Sequence, residues 1–233
     1  MIRGCVLSTG VSTNVNRKRW SLVNWLALAI AILLTKNVAA ILWEYRHYFP
    51  PNFEANFLIG RQSMFQGLYR QAFYLHLISS PLALLLGIFM VGSGLSGLAM
   101  RYHQLSGRVL ATIVFLGVVP SGFIMAAGTL AGWWTGLAFA INASLVALFC
   151  ALAGYHAYRR NHQAHKRWAM RTFLMLCAPI VLRLIAGVSI VTNTSSPTVY
   201  RWSAWISWLL PLLVFECYNQ LRTQLPVTQP PQR

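Results

Sequence analysis

The sequence predicts an all-α fold, a bundle of six transmembrane helices with both termini in the cytoplasm. Apolar residues make up 57% of the chain and charged residues only 9%, whereas about a quarter of the residues of a soluble protein are charged. The apolar residues lie in long runs, and a helix needs about 20 of them to cross a bilayer. Arginine and lysine cluster at the ends of these runs. The chain is therefore interpreted as an integral membrane protein.

The chain divides into a membrane domain and two polar tails: residues 20–222, with core spans at 71–191, lie between residues 1–19 and 223–233. The first span, residues 20–43, follows the basic run Arg17-Lys18-Arg19, as a signal peptide also would. We favour a retained span because this apolar run is longer than that of a signal peptide. A polar, aromatic-rich loop at residues 44–70 leads to the second span, residues 71–100.

Four further apolar runs complete the bundle, at residues 108–128, 133–158, 169–191 and 202–218. We expect turns at residues 101–107 and 159–168. Pro120 and Pro179 interrupt the third and fifth spans, which is tolerated where neighbouring groups satisfy the freed carbonyl. Most cations lie at the N-terminus, in these two turns and near the C-terminus, and the positive-inside rule places those segments in the cytoplasm.

The formal net charge of +16 indicates contact with anionic lipids of the bilayer rather than with nucleic acid. Nucleic-acid binding needs cations gathered on one folded soluble face, whereas these cations lie in short runs between apolar segments. The chain has no aspartate and only three glutamates, which argues against paired-carboxylate hydrolysis. Cys150, Cys177 and Cys217 lie in apolar runs and, like Cys5, have no metal-binding spacing, so we expect small buried packing residues.

Arg183 is the most conspicuous ionisable residue because it lies well inside the fifth span. A charge buried in hydrocarbon costs at least about 2.5 kcal/mol, so this cation needs a partner. Either it caps carbonyls freed by Pro179 and holds helices together, or it binds an anion, a propionate or a quinone oxygen. Glu216 lies about 18 Å from Arg183 in depth, so we expect no direct pairing.

Histidines are the second indication of chemistry. His103, His156 and His165 lie on the predicted cytoplasmic side, whereas His76 lies near the outer end of the second span. Two imidazoles that bind one haem iron must lie at one depth on different elements. About 40 Å of helix separates His76 from His103, so these two cannot share an iron. A cytoplasmic-side haem or quinone site is therefore favoured over an outer haem.

Three segments together resemble a known family. They are His76 near the start of a span, His103-Gln104-Leu105-Ser106-Gly107-Arg108 opening the next, and His165-Lys166-Arg167-Trp168-Ala169-Met170-Arg171 leading to Leu182-Arg183-Leu184. This combination, over about residues 73–184, resembles the uncharacterised bacterial multi-pass membrane proteins labelled domain of unknown function 2306. Gln104 and Ala169 depart from the family pattern. The resemblance implies a fold, a functional face and a bacterial inner-membrane location, and its helix count and histidine placement are similar to b-type cytochromes at the level of fold.

We therefore predict a membrane redox or electron-transfer protein that binds haem b or quinone and meets an electron-transfer partner. The candidate iron ligands are His76, His103, His156 and His165. The other predicted cofactor-binding residues are Arg108, Arg167, Trp168, Arg171 and Arg183, the arginines for propionate, quinone or lipid phosphate. The alternatives are a cofactor-free transporter of small molecules or lipids, with Arg183 and His76 lining a cavity, and a structural subunit of a membrane complex.

Overall fold

The computed structural model describes residues 22–54, 56–97 and 100–224. The predicted N-terminal tail, with Cys5 and its basic run, and residues 225–233 of the C-terminal tail lie outside the described residues. The α-helices of the described part are α1 (Leu22–Glu44), α2 (Gly67–Ser96), α3 (Met100–Ile113), α4 (Val119–Ala127), α5 (Trp133–Tyr158), α6 (His162–Leu176), α7 (Ala178–Val191) and α8 (Pro197–Gln224). The all-α prediction is confirmed for these residues.

Several of these helices are long and apolar enough to cross a membrane. Three do so individually, at Gly67–Gly94, Arg101–Ala127 and Trp133–Tyr158. The pair α6 and α7 passes the same test together, with a bend of 40°, and would make a fourth span. A multi-pass membrane protein is thereby supported, while the count of six spans and the cytoplasmic termini stay predictions.

The short connections make neighbouring helices antiparallel, which gives the bundle two ends. At the first, here called the histidine end, α2 and α5 finish and α3 and α6 begin. At the second, the loop end, the α4–α5 connection meets the loop of residues 45–66. Helix α2 packs on α3, α4 and α6, and α5 packs on α4, α6 and α8.

Close helix contacts in this bundle depend on small residues. Inside lipid the hydrophobic effect does not drive helices together, so they associate through close packing. Gly136 on α5 is the clearest case. A Cβ added there would lie 2.7 Å from the carbonyl oxygen of Ala126 on α4. Buried apolar side chains fill the interior around such contacts, among them Leu84, Val114, Val146, Met175 and Ile180. The helices are held by close van der Waals packing.

Both predicted turns at the histidine end were wrong, because most of their residues are helical. Residues 101–107 belong to α3, and the turn before α6 is confined to residues 159–161. For α6 the reason is a cap: the Asn161 side-chain oxygen accepts a hydrogen bond from the Ala164 backbone N–H at 3.1 Å. Polar and basic residues resemble a turn in sequence, yet they also suit the polar face of a helix that emerges from lipid.

The two interrupting prolines are accommodated in different ways. A π-helical turn, Val114–Val118, joins α3 to α4 and ends two residues before Pro120. Pro179 lies in the first turn of α7, where its missing N–H would have no helical partner in any case. The fifth predicted span therefore breaks at Cys177, two residues before the proline.

Two of the three described cysteines match the prediction of buried packing residues. Cys150 and Cys177 are buried free thiols within the apolar core. Cys217 is exposed on α8, so the prediction was wrong for this residue. An apolar sequence neighbourhood does not tell which side of a helix faces its neighbours.

Candidate functional site

The histidine end brings together two of the predicted histidines, His103 on α3 and His165 on α6. Their ring centres lie 6.3 Å apart and their ring planes are inclined by 82°. We call these two side chains the ring pair. His156 lies in the last turn of α5, with its ring centre 5.2 Å from that of Tyr155, and is not part of the ring pair.

Hydrogen bonds fix which nitrogen of each ring carries the proton. His165 Nδ1 lies 2.9 Å from the Ala153 carbonyl oxygen, which can only accept, so Nδ1–H is the donor. His103 Nδ1 lies 3.0 Å from Ser93 Oγ, and Ser93 donates its own hydrogen to the Met90 carbonyl at 3.1 Å. Ser93 therefore accepts from His103. In each neutral ring, Nε2 is left with the lone pair.

This arrangement is the one that metal-binding histidines usually have, with Nδ1–H held by an oxygen and Nε2 available. Two imidazoles that both held one metal through Nε2, at distances of about 2.0–2.1 Å, would have their ring centres on the order of 6 Å apart. The ring pair, at 6.3 Å, has this separation. On α2, a Cβ added at Gly94 would make only an ordinary van der Waals contact with His103 Cε1, at 3.7 Å.

Four exposed cations lie close to His103 and His165 in the sequence, on the same two helices. Arg101 and Arg108 are on α3, and Lys166 and Arg167 are on α6. Such side chains at the end of a bundle suit anionic groups, either lipid phosphates or carboxylates of a bound molecule. That Arg108 and Arg167 bind such a group stays a prediction.

Arg171 and Trp168 instead take part in a contact between α6 and α8. Arg171 binds Glu216 through one edge of its guanidinium: Nε donates to Oε1 at 2.6 Å and Nη2 donates to Oε2 at 2.8 Å. The Arg171 guanidinium also stacks 4.3 Å from the Trp168 ring, and Phe149 lies on Trp168 at 5.5 Å between ring centres. These contacts occupy the Arg171 guanidinium and the Trp168 ring, which were predicted to bind a cofactor. The sequence did not suggest the Arg171–Glu216 pair, although Glu216 is the one acid of the sixth predicted span.

Arg183 lies in the other half of the bundle. Eighteen residues separate it from His165, about 27 Å along a helix, so a group held by the ring pair cannot reach it. No hydrogen bond from its guanidinium to a carbonyl is found within the described residues, so the capping interpretation has no support there. Its side chain lines a cavity of about 410 Å³ between α2, α4, α5, α6, α7 and α8.

His76 lines the same cavity, but both of its ring nitrogens have partners. Nδ1 lies 2.9 Å from Ser121 Oγ, and Ser121 donates its hydrogen to the Gly117 carbonyl, so His76 is the donor. Nε2 lies 3.0 Å from Ser80 Oγ and accepts from it. Metal binding by His76 would require the loss of the Ser80 hydrogen bond. Metal binding by His103 or His165 would require no such loss.

An aromatic cap closes the loop end next to this cavity. It is built around four buried side chains, Tyr48, Leu58, Phe65 and Phe73. Tyr45 also belongs to it, and its hydroxyl donates a hydrogen bond to the Leu77 carbonyl. Burial raises the pKa of Tyr45 to about 12, and the positive charge of Arg183 partly opposes this. The Tyr45 hydroxyl is therefore neutral at physiological pH.

Sequence reasoning missed several polar groups that the fold brings to these two places. Ser93 and the Ala153 carbonyl hold the ring pair, and neither has a sequence pattern that marks it. Arg61, Asn142 and Trp208 line the cavity beside Arg183. Arg61 had one indication, since it is a cation in an unusually aromatic loop.

Comparison with known proteins gives one family match. A family model described as "Predicted membrane protein (DUF2306)" matches residues 73–218. The matched region begins on α2 and ends on α8, so it contains the ring pair and most of the cavity wall. No curated protein and no solved structure was found to match the chain.

Proposed function

The chain belongs to the DUF2306 family of predicted membrane proteins, and from this premise we propose that it is a membrane electron-transfer protein that holds a b-type haem between His103 and His165. The ring pair is the observation that supports the proposal. It joins two helix pairs, α2–α3 and α5–α6, at one end of the bundle. Each ring has its Nδ1–H held and its Nε2 available, at a separation that suits one iron.

The number of protein ligands favours haem over a bare metal ion. No group of three or more metal-binding side chains occurs in the described part of the chain, so the ring pair would give a bare ion only two protein ligands. Haem would bring its other iron ligands with it, so two histidines from the protein would suffice. The Nδ1–H hydrogen bonds to Ser93 and to the Ala153 carbonyl would hold the two rings at their inclination of 82°.

The residues around the ring pair have separate tasks in this proposal. Bound haem supplies a one-electron iron couple. Ser93 and the Ala153 carbonyl orient the two rings and make Nε2 more basic by accepting from Nδ1–H. Arg108 and Arg167, with Arg101 and Lys166, supply positive charge for the porphyrin carboxylates.

The same proposal places the protein in the bacterial inner membrane, with six spans and with the histidine end towards the cytoplasm. The described cations concentrate at that end, as the positive-inside rule requires. An electron-transfer partner would then approach the exposed face formed by the beginnings of α3 and α6. The positive charge there favours an acidic partner surface.

A reduced-minus-oxidised visible spectrum of the purified protein, expressed with ample haem, tests the proposal. We expect a haem band in the wild type, and its loss in both His103→Ala and His165→Ala. His162→Ala is the matched control, because His162 is an exposed histidine of the same helix as His165. Absence of the band in the wild type, or its survival in both ring-pair variants, would show that the proposal is wrong.

A further inference from the structure

We propose that the cavity at the loop end binds an amphiphile with one anionic head group, a carboxylate or a phosphate, and a short apolar chain. The cavity lies in the opposite half of the bundle from the ring pair. Its residues are different from those that would hold haem, so either proposal can fail without the other.

The charge of the cavity wall calls for an anion. Arg61 and Arg183 both line it, and none of the described lining residues is acidic. Arg61 belongs to the loop at this end, whereas Arg183 lies within the fifth predicted span with its side chain exposed rather than packed against protein, and a cation at that depth is costly unless a negative group faces it. The planar guanidinium presents paired donors that match a carboxylate or a phosphate. Glu44, at the C-terminal end of α1, acts electrostatically on Arg183 but does not line the cavity, so a neutral ligand would leave no negative group in the cavity itself.

Unsatisfied polar atoms in the wall point to the same conclusion. Arg61 donates to the Phe57 carbonyl and stacks on the Phe57 ring at 3.9 Å, yet its Nε has no partner in the described residues. Trp208 is only 4% exposed, and its Nε1–H likewise has no acceptor there. Buried polar groups are normally hydrogen-bonded. These donors lack an acceptor, which the oxygens of an anionic head group would supply.

The two arginines act at one place in the cavity. Tyr48, Arg61 and Arg183 all line this one cavity. Burial raises the pKa of Tyr48; the charges of Arg183 and Arg61 oppose this rise, and the charge of Glu44 adds to it. The two arginines can therefore share a single head group beneath the aromatic cap.

The deeper part of the cavity is apolar and limits the length of the ligand. Its wall there consists of the buried side chains Leu84, Val118, Val146, Met175 and Ile180. If each non-hydrogen atom takes roughly the 30 Å³ of a water molecule, a cavity of about 410 Å³ holds on the order of a dozen atoms. This corresponds to a head group with a chain of about ten carbons. Longer chains would have to leave the cavity between helices.

Binding of decanoate, decyl phosphate and decanol to the purified full-length protein in non-ionic detergent tests the proposal. Isothermal titration gives the affinities, and the first two probes separate a carboxylate from a phosphate head group. We expect at least one anion to bind ten times more tightly than decanol, or better. Arg183→Met should lower the affinity for that anion at least tenfold. Arg201→Met is the matched control, since Arg201 lies at the loop end outside the cavity, where its Nε donates to the Ala131 carbonyl.

A second variant keeps the test decisive if Arg183→Met does not fold. Trp208→Phe retains an aromatic ring in the core and removes the unpaired Nε1–H together with part of the indole, so the affinity for the anion should fall more than the affinity for decanol. Equal binding of anions and decanol by the wild type would overturn the proposal. So would unchanged anion affinity in both variants, or tight binding of a short-chain quinone together with no binding of either anion. The haem spectrum should be the same in all three variants.

Discussion

The ion pair between Arg171 and Glu216 gives the sharpest stability prediction, through the variant Glu216→Gln. The carboxylate receives two charge-assisted hydrogen bonds, at 2.6 and 2.8 Å. The two side chains are only 16% and 33% exposed, so solvent screens the pair less than it screens a surface pair worth about 0–1 kcal/mol. Hydrogen bonds to charged groups contribute about 1.5–3 kcal/mol. Glutamine keeps one acceptor, so we expect a loss of about 1–2 kcal/mol in the free energy of unfolding.

Reversible unfolding of the purified protein in mixed micelles measures this loss. A double-mutant cycle with Arg171→Met isolates the pair, and Glu54→Gln, in an exposed loop position, is the control. A coupling energy below about 0.3 kcal/mol would refute the interpretation that Arg171 stabilises the contact between α6 and α8. The haem spectrum should not change in Glu216→Gln, because in this account Arg171 holds α8 and not a propionate.

Three further predictions concern packing, ionisation and redox tuning. Gly136→Ala should lower the unfolding midpoint by an amount equivalent to about 1–3 kcal/mol, because the added Cβ would lie 2.7 Å from the Ala126 carbonyl oxygen. Gly154→Ala is the control and should leave the midpoint unchanged, because a Cβ there has nothing within 4 Å. The pKa of Tyr45 is raised from 10.0 to about 12, so its contribution to stability is complete below pH 10 and is lost as the pH rises towards 12; Tyr45→Phe should flatten this fall in an alkaline unfolding series. Ser93→Ala removes the acceptor of His103 Nδ1–H and makes Nε2 less basic, so a potentiometric titration of the haem should show a more positive midpoint potential. The control is Ser144→Ala, because Ser144 is an exposed serine of α5.

The existence of most helices could be predicted from apolar runs, because lipid requires a backbone that satisfies its own hydrogen bonds. The beginnings of α3 and α6 could not. Their first residues, such as His103 and His165, are polar and basic, and only the Asn161 cap or contacts with α2 and α5 show that they are helical. Composition alone does not distinguish a basic turn from the polar first turns of a helix.

The candidate site was predictable in kind but not in geometry. Sequence placed His103 and His165 on one side of the membrane, yet the 6.3 Å between their rings depends on the rotation of α3 and α6 about their own axes. The same holds for Arg171, whose partner Glu216 is 45 residues away in the chain. Rotations of this kind follow from close packing between helices, at residues such as Gly136, and no single helix contains that information.

Electron paramagnetic resonance of the oxidised protein tests the central claim, that one iron is held by His103 and His165, most directly. Two imidazole ligands make ferric haem low-spin, and ring planes inclined by 82° give the highly anisotropic form of that signal. We predict this anisotropic low-spin signal in the wild type and a high-spin signal or no haem in His165→Ala. A high-spin signal in the wild type would contradict the account, because the iron would then lack one of its two histidines.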